Sequence, residues 1–479
     1  MAFKKLKFTN IFFILSVGLF VRLIFTWFFA ENYYGIENFF CQGDTKGWAY
    51  SFQNLYEKSI YAYNVNVEYS HFLRIPGYSF FLGFFYLLCG KDWTVAYKVC
   101  GYTQIFIDVF NIYLIKIIAQ KVYQNIKISS LAAWIFALYP FAIVWNPVCY
   151  SEILSLHLLL LSVWFFVKKD DKKINLFWCG FTIALSALVR PQIAIIFPVF
   201  GITILFQKVT LTLKLKQALI YGTTVFCIFG IWPARNYINH NKFVLMQDLR
   251  GSSNWHGEVL AFTAFMYSAQ SDWEPQFTQI LKNQQVKIPE HFIGTKQDSI
   301  KLLRAFELCK TNGVSFSYWK GYWQNKIVTD SSKLDSMVNA FTELREMQVQ
   351  QHPFIFYVIL PIENLKKAIF KTSLYDTKSM IRKIASSLFV LRTLLIFLGV
   401  FGCILMFRKN EYKSFALLLF SYWSLLYLAL CAGTGPMFRN IEVRYFLHPD
   451  VLLLIPASYF IYSFYSKYFS KQRNIQTNI

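Results

Sequence analysis

Apolar residues run along this chain in blocks rather than in alternation. Ile11 to Ala30 is nearly unbroken, with Arg22 as its only charge, and Leu131 to Trp145 carries none. Leu388 to Phe407 is interrupted by a single charge, Arg392. Blocks near 20 residues match a hydrocarbon core of roughly 30 Å at a rise of 1.5 Å per residue. Inside lipid, only a helix satisfies every backbone polar group within one segment. The pattern predicts an all-α integral membrane protein, a polytopic bundle of roughly ten to eleven transmembrane helices.

Composition agrees with the blocks. Of 479 residues, 56% are hydrophobic, 20% aromatic and only 15% charged, against about a quarter charged in a soluble domain. The net charge of +22 needs no nucleic acid, because the basic residues cluster beside apolar blocks as the positive-inside rule predicts. Lys4, Lys5 and Lys7 precede the first block, and no small-residue cleavage site follows, so that segment is expected to remain as an anchor. Lys116, Lys121 and Lys127 form a second cluster, and Lys168, Lys169, Lys172 and Lys173 a third. Lys208, Lys214 and Lys216, then Arg408, Lys409 and Lys413, then Lys467, Lys471 and Arg473 complete the set. Placing all of them on the cytoplasmic side requires roughly ten full crossings.

The segment from Pro76 to Gly90 disturbs a simple count. It is apolar but only about 15 residues long, short for a full span. An incomplete crossing, or a strongly tilted helix beginning at Pro76, keeps the lysine clusters together. Two large segments then lie outside, Glu31 to Ile75 and Arg235 to about Met380. The chain divides into a membrane module over residues 1–233, an extracytoplasmic loop region over 234–380, and C-terminal helices with a cytoplasmic tail over 381–479. Ser331 to Gln351 and Phe354 to Phe370 read as amphipathic helices, the second interrupted by Pro361 and resting its apolar side on the membrane. The nine cysteines show no metal-binding spacing. Cys41 and Cys309 both fall outside, which leaves a disulfide between them open.

The same map sorts the polar residues. Gly43-Asp44-Thr45-Lys46, Arg74-Ile75-Pro76, Ser151-Glu152, Arg190-Pro191, Arg235-Asn236-Tyr237 and Glu442-Val443-Arg444-Tyr445 all fall at outer helix ends or loops. Ionisable groups at membrane depth cost several kcal/mol unless paired, solvated or used. A set drawn from distant parts of the chain to one face points to a site for a polar or anionic group. Asp44 and Glu152 supply carboxylates that can accept a proton. Arg74, Arg190, Arg235 and Arg444 supply planar, bidentate donors suited to phosphate. Tyr78, Asn236, His256 and Glu442 are candidate substrate contacts. No cofactor is demanded. A divalent metal remains open, with Glu68 and His71 as candidate ligands beside Asp44. Arg22, inside the first block, reads as the partner of a charge on another helix.

Several longer motifs carry a family resemblance. They are Gly43-Asp44-Thr45-Lys46-Gly47-Trp48-Ala49-Tyr50; Arg74-Ile75-Pro76-Gly77-Tyr78; Tyr139-Pro140 followed by Glu152; and Ala184-Leu185-Ser186-Ala187-Leu188-Val189-Arg190-Pro191. Trp232-Pro233-Ala234-Arg235-Asn236-Tyr237 with Phe243-Val244 and Gly251-Ser252-Ser253-Asn254-Trp255-His256-Gly257 follows, then Glu442-Val443-Arg444-Tyr445-Phe446-Leu447-His448-Pro449. In order and spacing these resemble the GT-C glycosyltransferases, most nearly the bacterial protein O-mannosyltransferase and aminoarabinose-transferase superfamily. One departure is Ile75, which stands between Arg74 and Pro76 where the family often has the base directly before proline.

The resemblance implies a GT-C fold and a polyprenyl-phosphate sugar donor. It implies inverting displacement with Asp44 as the base and Arg74 at the donor phosphate. The acceptor would be lipid A, a glycan or a protein of the envelope. The setting would be a bacterial inner membrane with the site facing the periplasm. Two rivals share part of the pattern. A lipid-linked glycan flippase or transporter would place its polar residues at the midplane and often show an internal repeat, and no repeat is present. An O-antigen-type ligase would share the large outer loop without the pairing of an early Asp44 loop and Arg235-Asn236-Tyr237.

Overall fold

The computed structural model describes residues 8–35, 38–168, 172–251, 255–324, 332–370, 380–433 and 442–476. Lys4, Lys5, Lys7, Lys169, Ser252, Ser253 and Asn254 lie outside them. Among the described residues there is no strand. The chain is an all-α bundle, as the blocks predict.

Helix α1 (Ile11–Tyr34) begins at Asn10, whose side chain accepts the Phe12 N–H. It is followed by α2 (Thr45–Lys58), α3 (Pro76–Leu88) and the long α4 (Trp93–Tyr123). The apolar block ending at Trp145 splits into α5 (Ile126–Ala137) and a short turn opened by Pro140. Then come α6 (Ser151–Val167), α7 (Lys172–Val189), α8 (Pro191–Leu205) and α9 (Leu211–His240). Proline at the first turn of α3 and α8 forfeits only an N–H that would lack an intrahelical partner there.

Helix α3 resolves the awkward segment. Its 13 residues reach about 20 Å at 1.5 Å per residue, too little to cross. It turns back along the start of α4 instead. The Tyr78 hydroxyl donates to Gln104 Oε1 at 2.7 Å, and Tyr86 stacks on Trp93 at 4.2 Å. Lysines of the second and third basic clusters meet at one end of the bundle. Lys121, Lys168, Lys172 and Glu411 surround a single cavity there.

Beyond α9 the chain leaves the bundle. Helices α10 (Gly257–Ala269), α11 (Glu274–Leu281), α12 (Lys296–Thr311), α13 (Val314–Gln324) and α14 (Leu334–Gln351) close around their own aromatic core. Phe262 sits at its centre, in contact with Phe277, Phe306, Phe316 and Phe341. Cys309 is buried in this core with its Sγ 3.7 Å from Met337 Sδ, and both it and Cys41 are free thiols. The disulfide left open by the sequence is therefore absent. Pro361 also departs from expectation. It does not interrupt its helix, because the turn before it, Ile355–Ile359, widens to a π-helix and continues into α15 (Leu360–Phe370). A π turn re-spaces the backbone bonds where proline lacks a donor. Phe354, Tyr357 and Ile362 stay exposed along this segment.

Helices α16 (Met380–Phe407), α17 (Lys413–Ala432) and α18 (Leu447–Gln476) return to the bundle. Gly402 of α16 faces α18 where a Cβ would lie 2.1 Å from Pro456 O, the close backbone approach that small residues allow in lipid. Among the described residues, six helices are long and apolar enough to cross a membrane, and the shorter apolar helices α3, α5, α6 and α8 accompany them.

Among the described residues, Arg22–Asp108 and Arg392–Asp450 are ion pairs deep inside the bundle. Arg22 meets Asp108 at 2.7 Å with both side chains fully buried, and also donates to Gly18 O and Ala137 O. Asn111 and Asn146 donate to the same carboxylate. Arg392 meets Asp450 at 2.7 Å and donates to Ala368 O and the Tyr427 hydroxyl. Breaking such a pair strands a buried charge. Arg22→Met is expected to destabilise the protein by about 3–5 kcal/mol. Arg22→Met with Asp108→Leu should recover most of that loss. Thermal unfolding of the full chain in detergent, followed by tryptophan fluorescence, compares the two.

Candidate active site at one end of the bundle

The bundle end opposite the lysine clusters collects the acids and arginines. Asp44 stands at the start of α2, fixed by the next residue, since Thr45 Oγ1 donates to Cys149 O at 3.0 Å. That bond sets α2 against the turn leading into α6, where Glu152 lies in the first turn. Arg74 arrives from the stretch before α3, and Gly47 makes room for it. A Cβ on Gly47 would lie 2.7 Å from Arg74 Nε. Gly77 does the same between helices, for a Cβ there would lie 2.6 Å from Leu188 O. This backbone contact holds the start of α3 against the end of α7, which leads into Arg190.

The side chains form a ladder. Asp44 Oδ1 accepts from Arg74 Nη2 at 2.6 Å, and Asp44 Oδ2 from Arg444 Nη1 at 3.1 Å. Arg444 Nη1 is also 4.0 Å from Glu152 Oε1, which meets Arg190 Nη1 at 2.9 Å. Glu442 binds the outer edge of Arg444 at 2.5 Å. Aromatic faces hold the guanidiniums in place: Arg74 lies 4.6 Å over Trp48, Arg444 5.2 Å over Tyr150, and Arg190 5.2 Å over Tyr445. Withdrawal from bulk water opposes ionisation of Asp44. The two neighbouring guanidiniums outweigh it and hold the carboxyl well below the usual carboxylate range.

Asp44, Arg74, Arg190 and Arg444 line a cavity of about 540 Å³. Glu152 lies just behind its wall, 1% exposed. Several buried polar atoms have no hydrogen-bond partner among the described residues: Arg190 Nε and Nη2, Arg74 Nε, and Glu152 Oε2. Buried donors are normally satisfied. Free guanidinium N–H groups at a cavity wall are a receptor for an anion. Val189, Leu260 and Leu430 give the cavity an apolar side.

Other sequence candidates stand apart. Arg235 packs over Tyr61 and Trp232 and donates to Tyr61 O and His71 O, off the cavity. Tyr78 is fully buried behind Trp48 with its hydroxyl committed to Gln104, so it has no face for substrate. Asn236 is buried too and holds the following turn through Val244 O. His256 sits at the start of α10, bonded to Glu258 at 2.7 Å, which holds the imidazole above its ordinary range. It does not line the cavity. Glu442 reaches the site only through Arg444.

The metal-ligand candidates are also separated. Glu68 pairs with Lys242 at the surface, and His71 stacks on His240 at 4.3 Å. Among the described residues no three His, Cys, Asp or Glu side chains converge. Asp44 itself is held between two arginines. This donor set does not fit a divalent cation.

Residues that the sequence did not single out complete the wall. Asp248 and Arg250 pair at 2.5 Å in the stretch after α9, which Asp248 N ties to Phe72 O at 2.9 Å. Both line the cavity. Trp48 carried a readable signal, since it lies four residues past Asp44 and shares its helix face. Arg250 carried none.

No family model matches the sequence, and no curated protein matches it. Solved structures do. The apo crystal structure of an oligosaccharyltransferase from Archaeoglobus fulgidus aligns with a TM-score of 0.52 at 12% identity, over 99% of this chain and 52% of that one. AglB, the archaeal oligosaccharyltransferase from the same organism, in complex with an inhibitory peptide and a dolichol-phosphate, aligns with a TM-score of 0.51 at 10% identity, over 98% and 52%. ArnT from Cupriavidus metallidurans in the apo state aligns with a TM-score of 0.32 at 10% identity, over 82% and 72%. The chain thus spans about half the length of the oligosaccharyltransferase structures. The likeness is one of fold: the all-α bundle of this chain shares its architecture with those oligosaccharyltransferase structures.

The Gly77 contact tests how the site is held. Gly77→Ala forces α3 from α7 and should cost about 1–3 kcal/mol, the range for overpacking. Thermal unfolding should register this loss, whereas Gly222→Ala, in open space on α9, should not.

Proposed function

We propose that this chain is a membrane glycosyltransferase that moves a sugar from a polyprenyl-phosphate donor to an envelope acceptor. The observation that carries the reading is the cavity in which Asp44 meets Arg74, Arg190 and Arg444, with Glu152 behind its wall and buried guanidinium donors unfilled. The donor phosphate sits against Arg190 and Arg444, and its isoprenoid tail runs along the apolar side of the cavity. AglB, solved in complex with a dolichol-phosphate, is an oligosaccharyltransferase of similar fold.

The reaction is a direct displacement. The acceptor oxygen or nitrogen attacks the anomeric carbon as the bond to the phosphate oxygen breaks. The phosphate leaves with the electron pair, stabilised by the guanidiniums. The acceptor proton passes to Asp44, directly or through water, and configuration inverts. In the resting site Asp44 is too tightly paired to be a strong base. An arriving phosphate competes for Arg444, loosens its contact with Asp44 Oδ2 and raises the basicity of the carboxylate. Donor binding thereby prepares the acceptor side. Lipid A, a glycan or a protein all offer a suitable nucleophile. The site faces away from the lysine clusters, hence toward the exterior of a bacterial inner membrane by the positive-inside rule.

Asp44→Asn should lower transfer from a polyprenyl-phosphate sugar by about 10²–10⁴-fold, with unchanged membrane expression. Transfer at the wild-type rate would remove Asp44 from the chemistry. Arg190→Gln should act mainly on the donor, raising its KM with the acceptor KM unchanged. The pH profile of the free enzyme gives a third check. A group whose pKa is depressed loses its charge only as pH falls through that low value, so Asp44 stays ionised well below neutrality. kcat/KM should show no acid limb near pH 7 from this carboxylate, whereas a base with a raised pKa would show one.

A further inference from the structure

Another large cavity lies at the other end of the bundle, far from the carboxylates of the Asp44 site. Its volume is about 440 Å³, and it opens where α4, α6, α7, α9 and α17 come together. Lys121, Lys168 and Lys172 line it, and Glu411 is the one acid among its described lining residues. Lys172 Nζ caps the end of α6 by donating to Phe166 O at 3.0 Å and lies 4.9 Å over the Phe166 ring. Its ammonium keeps two further N–H groups. Lys121 has no ion-pair partner among the described residues. Gln217 is 5% exposed and lines the same cavity, and its side-chain carbonyl has no hydrogen-bond partner.

We infer that this cavity binds the headgroup of an anionic phospholipid. Lys121 and Lys172, converging at the ends of membrane helices, form the receptor for a phosphodiester. The unfilled Gln217 carbonyl accepts a headgroup hydroxyl. A glycerol headgroup carries both features. The acyl chains have a path as well, since Phe206, Leu211 and Leu215 are exposed beside Gln207 and Val209 at the cavity edge. A free phosphate would satisfy the lysines but leave Gln217 and this apolar border unused. The inference is independent of the sugar-transfer reading, because no group of the Asp44 site takes part.

The test uses the full chain in neutral detergent. Native mass spectrometry counts bound phosphatidylglycerol, and thermal unfolding follows its effect, with phosphatidylcholine and inorganic phosphate as the other arms. Phosphatidylglycerol should bind and raise the Tm, and phosphatidylcholine should not. Lys121→Gln and Lys172→Gln should each weaken binding about fivefold, the scale of one basic residue at a membrane surface. Lys127→Gln removes an exposed lysine at the same end of the bundle, outside the cavity, and should leave binding unchanged. Equal losses from Lys127→Gln and Lys121→Gln would show diffuse charge attraction and overturn the site. Saturation by inorganic phosphate alone, with no further effect of phosphatidylglycerol, would overturn the lipid assignment.

Discussion

Arg444 holds the candidate site together. It reaches Asp44 at 3.1 Å, Glu152 at 4.0 Å and Glu442 at 2.5 Å, so residues hundreds of positions apart converge on one guanidinium. Arg74 and Arg190 extend the ladder at either side. Glu152 and Arg190 are deeply buried and each would cost several kcal/mol alone, whereas Asp44 and Glu442 keep part of their solvent. Together they nearly cancel. The geometry is therefore collective: removing one rung leaves its neighbours uncompensated, and the loops that carry them lose their reason to meet. The glycines at 47 and 77 permit the approach that the charges then hold.

The bundle contains two kinds of ion pair. Arg392 is closed, with Asp450, Ala368 O and Tyr427 filling its donors. Arg190 is open, with Nε and Nη2 unfilled although it is almost fully buried. The chemistry is the same, but the consequence differs. A closed pair fixes helices relative to each other. An open pair at a cavity wall retains capacity for an incoming anion, and Asp44, one-third exposed, is the part of the ladder that an acceptor can reach.

Much of this was legible in the residues. Long apolar blocks leave a membrane helix no alternative, and lysines from separate clusters come together at one end of the bundle. Charged residues at helix ends were found because burial of charge demands a partner, which made Asp44, Arg74, Glu152, Arg190 and Arg444 stand out together. Direction was not legible. Tyr78 and Asn236 lie next to the right residues in the chain but turn into the core, and Arg235 turns onto Tyr61. Sequence neighbours on a helix point to different faces. Asp248 and Arg250 were invisible for another reason: the stretch that carries them is placed by tertiary contacts with Phe72 and Tyr69, which no local pattern encodes. Pro361 misled because a π turn can absorb a missing donor.

The Arg22–Asp108 pair has a consequence for biogenesis. An arginine in the middle of a span costs about 2.5–3.5 kcal/mol on insertion, and the aspartate that neutralises it is 86 residues downstream. At 5–20 residues per second the ribosome needs roughly 4–17 s to deliver it. For that interval the first helix carries a charge with no mate, and the translocon or a membrane chaperone must shelter it until α4 arrives.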